Sequence, residues 1–173
     1  MDETDFWQLI DEARDGAHGD PVDQADLLVD RLTQRDPEDV LDFARLFESR
    51  LRRAYRWDLW GAAYLLLGGA SDDAFDYFRC WLLGQGREVF EGALHDPDQL
   101  AELVPDFDDE ADGDAEELGY AADEAYEALT GGPLPDLSLG EDPPEPEGAA
   151  FDFEDAESMA ERYPRLWERW GAF

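Results

Sequence analysis

The stretch Trp57-Asp58-Leu59-Trp60-Gly61-Ala62-Ala63-Tyr64-Leu65-Leu66-Leu67, closed by Gly68-Gly69, decides the fold. Its apolar residues recur at helical spacing on more than one side. Leu59, Ala62, Ala63 and Leu66 fall along one face, and Trp60, Tyr64 and Leu67 along another. A helix that is apolar nearly all round belongs at the centre of a fold. The spacing predicts a helix from about Tyr55 to Leu67, ended by the glycine pair.

Helices extend from it in both directions. Downstream, Ser71-Asp72-Asp73 caps a helix to about Leu83, with Phe75, Phe78 and Leu82 facing inward. Gly84 and Gly86 end it, a further helix covers Arg87 to Leu94, and Asp96-Pro97 starts a short turn toward Val104. Upstream, Thr4 is placed to cap a helix carrying Phe6, Trp7, Leu9, Ile10 and Ala13. Asp20-Pro21 opens the second helix, and Asp36-Pro37 the third, each with Pro at the first helical position. In the third, Val40, Phe43, Phe47, Leu51 and Ala54 form the inner stripe, while Glu48 and Arg52 read as a solvent-side ion pair.

The second half is less regular. Six of the ten residues 105–114 are acidic, and the stretch reads as a solvated loop. A helix is expected from Ala115 to Leu129. Residues 133–150 hold five prolines and read as an extended linker. Phe151 and Phe153 are placed to reattach the chain, and a last helix, restarted at Pro164, carries Met159, Leu166, Trp167 and Trp170. Nothing alternates long enough for a strand. The expected fold is all-α, an irregular single-domain helical bundle with an acidic loop and a Pro-rich linker before a C-terminal helix. The expected parts are a helical domain over 1–132, the linker over 133–150, and a C-terminal segment over 151–173 that packs back.

Charge is the strongest anomaly. Forty-six acids face thirteen arginines, with no lysine, for a net charge of −33. Of the acids, 23 lie between Asp96 and Glu157, where there is no basic residue at all. Direct binding to a nucleic acid backbone is excluded on this balance, because that affinity comes from neutralising phosphates with cations. Anionic membranes are disfavoured for the same reason, whereas a protein partner or a cationic ligand is favoured. The longest apolar run, Ala62 to Leu67, has six residues, far short of the roughly 20 of a membrane span. The acidic start Met1-Asp2-Glu3 does not resemble a secretory signal, and Cys80 has no second cysteine to pair with, so a cytoplasmic location is expected.

The blocks Trp57 to Tyr64, Gly68-Gly69-Ala70-Ser71-Asp72-Asp73-Ala74-Phe75 and Phe78-Arg79-Cys80-Trp81-Leu82-Leu83-Gly84-Gln85-Gly86-Arg87-Glu88 together resemble the bacterial family called domain of unknown function 4240. Phe6-Trp7-Gln8-Leu9-Ile10 and Tyr163-Pro164-Arg165-Leu166 are similar to it as well. The resemblance implies a bacterial source, commonly an actinobacterium, which suits an arginine-only composition. It implies no activity. The family often has Cys where Ala70 stands and Gly where Ala74 stands, so no chemistry needing a thiol in that turn carries over.

The best candidate site is the turn from Gly68 to Asp76 and the helix after it. Asp72, Asp76 and Arg79 share one helical face, with Ser71 and Asp73 beside them and Trp81 and Gln85 further along. Two carboxylates next to a guanidinium suit a cationic or amide group, or acid–base work. The same residues also suit plain helix capping and an Asp76–Arg79 ion pair. Trp60 and Tyr64, with Trp57, Phe75, Phe78 and Trp81, are placed either to line a pocket or to fill the core.

No metal or cofactor is expected. Asp108, Glu110, Asp112 and Gly113 match the start of a calcium loop, but its twelfth position falls on Gly119 where a bidentate Glu is required. His18 and His95 have no zinc-site spacing. Cys80 reads as a buried, inert thiol, and Arg50, Arg52, Arg53 and Arg56 as a cluster offsetting internal repulsion.

Three functions fit these residues. The first is a non-catalytic acidic binding or regulatory module. The second is an enzyme with its carboxylate and arginine site at the turn between the fourth and fifth helices. The third is a nucleic-acid mimic that occupies a DNA-binding protein. Salt adaptation would produce the same charge without any of them. In that case the melting temperature rises with sodium chloride as repulsion is screened, and a flat or falling curve in a calorimetric titration contradicts it.

Overall fold

The computed structural model describes residues 1–171, so Ala172 and Phe173, the last two residues of the expected C-terminal segment, lie outside it. The fold is all-α. The helices are α1 (Glu3–Ala17), α2 (Pro21–Leu32), α3 (Pro37–Arg53), α4 (Trp57–Leu67), α5 (Asp72–Gly84), α6 (Arg87–His95), α7 (Leu100–Leu103), α8 (Glu116–Gly119), α9 (Ala121–Thr130), α10 (Ala156–Arg162) and α11 (Pro164–Trp170), with a 3-10 turn at Pro97–Gln99. Among the described residues no helix is long and apolar enough to cross a membrane.

The helix starts follow local chemistry. Asp2, rather than Thr4, caps α1, its carboxylate accepting from Asp5 N at 2.9 Å. Asp20 accepts from Val22 N at 2.9 Å and Asp23 N at 3.2 Å to open α2. Ser71 accepts from Ala74 N at 3.2 Å to open α5. Satisfying these otherwise unpaired amides is worth about 1 kcal/mol each.

α4 lies in the middle, with Leu59, Ala62 and Ala63 fully buried and Leu65 and Leu66 nearly so. It begins at Trp57, two residues later than the apolar pattern predicts. Arg56 is extended and Tyr55 stays outside the helix, because the backbone on either side of Arg56 is used elsewhere. Glu147 N donates to Tyr55 O at 2.9 Å and Trp57 N donates to Glu147 O at 3.1 Å, which joins the chain to the Pro-rich segment.

That segment, residues 133–150, has no helix, and it runs along α3. Arg45 Nε donates to Leu137 O at 3.2 Å, and Arg52 donates to Leu139 O at 2.9 Å and Gly140 O at 3.1 Å. Leu134 and Leu137 pack on the core. The acidic loop is also anchored. Phe107 is buried edge-on against Trp81, and Gly113 sits so close to Leu67 and Phe107 that a Cβ there would meet both at under 3 Å. The expectation of a wholly solvated loop over 105–114 is therefore corrected, because one aromatic ring ties it down. The single helix expected over Ala115–Leu129 is interrupted at Tyr120, giving α8 and α9. Gly119 lies against α5 there, and a Cβ on it would stand 3.2 Å from Cys80 Sγ.

The C-terminal helices close over α4. Tyr163 OH donates to Asp58 O, and Phe151 and Tyr163 pack directly on Gly61, where a side chain would collide with both. Tyr163 sits at the start of α11 and offers no side-chain cap. Asp98, buried in the 3-10 turn, replaces one. Its carboxylate accepts from Leu166 N at 2.9 Å and from Arg165 N at 3.1 Å. Asp98→Ala is expected to leave these buried amides unpaired and to destabilise the protein by about 1–3 kcal/mol. Urea unfolding measures this, and unchanged stability would show that α11 holds its place without the cap.

Candidate functional site

A cleft of about 460 Å³ opens between α3, α5, α8 and the Pro-rich segment. α3 contributes Glu48, Leu51 and Arg52, and Tyr55 follows just after it. α5 contributes Asp72, Asp76, Tyr77, Arg79 and Cys80. Glu116 and Gly119 of α8, with Tyr120 after it, form the third wall, and Asp142 and Pro143 the fourth.

The inner wall is built on Arg79. It is 9% exposed, and its guanidinium lies over Tyr55 at 4.8 Å and Phe75 at 5.0 Å. It donates to Leu51 O at 2.8 Å and to Asp76 Oδ1, while its Nε faces no acceptor. A charge held this far from water needs those bonds and the aromatic faces to be tolerated. Arg52 is similarly engaged, between Glu48 at 3.4 Å, Asp142 at 3.0 Å and the carbonyls of the Pro-rich segment. The Glu48–Arg52 pair, expected on the solvent side, forms part of the cleft, because Asp142 and Pro143 cover that face of α3.

The site perturbs its own titratable groups. Burial raises the Glu48 carboxyl, Asp142 raises it further, and the hydrogen bond from Arg52 opposes both. The Tyr77 phenol is raised first by the charge of Glu116 and then by burial and Asp73. Burial pushes the Cys80 thiol up to about 12, with Arg79 pulling the other way.

Of the residues singled out from sequence, Asp72, Asp76 and Arg79 meet in the cleft. The others lie elsewhere. Ser71 is occupied as the cap of α5, and Asp73 is exposed on its first turn. Trp60 is packed between Trp57 and Phe75, at 5.3 and 4.9 Å, and its indole N–H donates to Ala70 O. Phe153 leans on Trp60 and on Tyr64. Trp81 packs against Phe78 and Phe107, both in the core. Gln85 borders a separate, more open hollow of about 650 Å³ beside Arg14 and Glu91.

Sequence reasoning missed Glu48, Tyr55, Tyr77, Glu116, Tyr120 and Asp142 as cleft residues. Only Tyr77 was within reach of a local signal, one position from Asp76. The rest come from elements distant in sequence. Among the described residues no three His, Cys, Asp or Glu side chains converge to hold a metal ion.

The Cys80 environment sets a prediction. With its thiol near 12 rather than the ordinary 9.0, the folded protein at pH 8 carries about a thousandfold less thiolate than the unfolded chain. Iodoacetamide should modify Cys80 in urea and leave it nearly untouched in native buffer; comparable rates would place the thiol in solvent. Because the folded value is the higher, this group's contribution to stability is complete below pH 9.0 and is lost as pH rises toward 12.

The family of proteins of unknown function DUF4240 matches residues 1–128. No curated protein and no solved structure is detectably similar to the chain. The matched stretch runs from Met1 into α9 and contains three walls of the cleft, while Asp142 and Pro143 lie beyond it. With about three-quarters of its length matched, and the central helices α4 and α5 inside the match, the chain belongs to the DUF4240 family.

Proposed function

We propose that the protein is a non-catalytic binding module whose recognition site is the cleft between α3, α5 and α8, and that its partner is cationic. One observation carries this reading. The cleft is lined by Glu48, Asp72, Asp76, Glu116 and Asp142 against only Arg52 and Arg79, and both guanidiniums are already bonded within the protein. A concave surface with uncompensated charge of one sign focuses its field and draws in the opposite charge.

The remaining chemistry supports binding over catalysis. Cys80 is buried and its thiol is raised, so it is a poor nucleophile. Arg79 and Asp76 neutralise each other at the inner wall. A nucleic-acid mimic would need its acids on a rigid surface. Here the acidic run is spread over the loop at 105–114, several short separate helices and the Pro-rich segment.

A second reading, acid–base catalysis, is favoured by Glu48, whose carboxyl is raised by burial inside a cleft. Glu48→Gln separates the two readings once a partner or substrate is in hand. The binding reading expects turnover to be absent in both forms, and the catalytic one expects a loss of turnover of about a hundredfold or more.

The binding reading itself is tested with the double variant Asp72→Asn/Glu116→Gln. Both side chains are on the cleft rim, and the thermal melt should stay at or above that of the wild type because repulsion falls. Capture of partners from native lysate at low salt should be strong for the wild type and fall with rising salt. It should be largely lost for the variant, and equal capture by both proteins would remove the cleft from the reading.

A further inference from the structure

The outer half of the cleft differs in kind from the inner half. Inside, the protein has supplied its own cation. The Arg79 guanidinium lies over Tyr55 with Asp76 as its counter-ion. Outside, the same two kinds of group stand with no cation between them. Tyr120 is 53% exposed, one of two large apolar side chains left in solvent among the described residues, and it stands at the cleft mouth. Tyr77 lines the same region, close enough to Glu116 for that carboxylate's charge to raise its phenol. Asp72 lines it too, with no ion-pair partner among the described residues.

We propose that the outer cleft takes an organic cation with an ammonium or guanidinium head, seated against the rings of Tyr120 and Tyr77 between the carboxylates of Glu116 and Asp72. This rests on the binding reading above and names the ligand class for it. Three features carry it. An aromatic face with a carboxylate beside it stabilises a desolvated cation by ring quadrupole and charge together. An anion is poorly served, because Arg52 and Arg79 both bond within the protein and Arg79 Nε, which has no acceptor, is buried. The volume, about 460 Å³, suits a small molecule or one long side chain rather than a folded surface. The tyrosine rings favour a head with polarised C–H or N–H groups over a bare ion.

The same head could arrive on a free amine or on the arginine or lysine of a peptide. The experiment uses the full chain in about 0.15 M salt, where diffuse surface attraction is mostly screened. Backbone amide shifts are followed by NMR with butylamine, agmatine, a short acetylated arginine peptide, and two controls, ethylurea and glutamate. The expected result is that the cationic probes shift amides at 72–80 and 116–120 and the controls do not. Tyr120→Ala and Glu116→Gln should each weaken binding about tenfold. Glu127→Gln, an exposed acid on α9 outside the cleft, should bind as the wild type. Tighter binding of the peptide than of agmatine assigns the head to a protein partner, and the reverse assigns it to a free amine.

Equal weakening by Glu116→Gln and Glu127→Gln, with shifts scattered over the acidic surface, would overturn the proposal in favour of an ionic atmosphere. Ethylurea or glutamate shifting the cleft as strongly as agmatine would overturn the cation class and leave the binding reading standing. Silence of every probe at the cleft, while lysate capture still depends on Asp72 and Glu116, would likewise overturn the ligand class alone. Loss of both would take the binding reading down with it.

Discussion

Arg52 reaches from α3 across to the Pro-rich segment, and one guanidinium there meets Glu48, Asp142 and the carbonyls of Leu139 and Gly140. Its neighbours do comparable work along the same helix. Arg50 pairs with Glu3 of α1, Arg53 makes two bonds to Glu91 of α6, and Arg45 holds Leu137 O. In a chain with a net charge of −33, cations are scarce, and this helix carries the densest group of them. Exposed pairs of this kind contribute little each. Guanidinium bonds to backbone carbonyls are stronger, and they place an otherwise unstructured segment against the domain. The apolar core sets the helices around α4, and the arginine line of α3 settles what covers them.

That arrangement also shapes the cleft. Three of its walls lie in the stretch that matches the family, and the fourth is the segment Arg52 holds. Within it, Arg79 shows how the protein stabilises a buried cation, with an aromatic face on one side and a carboxylate on the other. Cys80 and Gly119 form the floor, where the absence of a side chain at 119 lets α8 approach α5.

The helices were legible where the signal was local. Asp20-Pro21, Asp36-Pro37 and Ser71 start α2, α3 and α5 as their residue types require, and Gly68 ends α4 in the left-handed region at φ 70°. Reading failed where a distant residue intervened. α4 starts late because Glu147 bonds to Tyr55 and Trp57. The helix expected after Ala115 breaks at Tyr120, next to the glycine packed on Cys80. The acidic loop is anchored by Phe107, whose partner Trp81 lies on α5. Half of the candidate site suffered the same way. Asp72, Asp76 and Arg79 converge because helical spacing alone puts them on one face, whereas Trp60 and Trp81 had to be assigned to core or pocket by neighbours that no spacing reveals.

Residue order by itself determined that the chain is helical, that α4 is central, and that the charge excess sits between Asp96 and Glu157. These follow from periodicity, capping chemistry and composition, which act over a few residues. Only the tertiary structure decided that Glu48, Asp72, Glu116, Tyr120 and Asp142 share one cleft. They come from four separate stretches of chain, and bringing them together depends on packing and on the reach of Arg52 and Arg79, neither of which leaves a local mark.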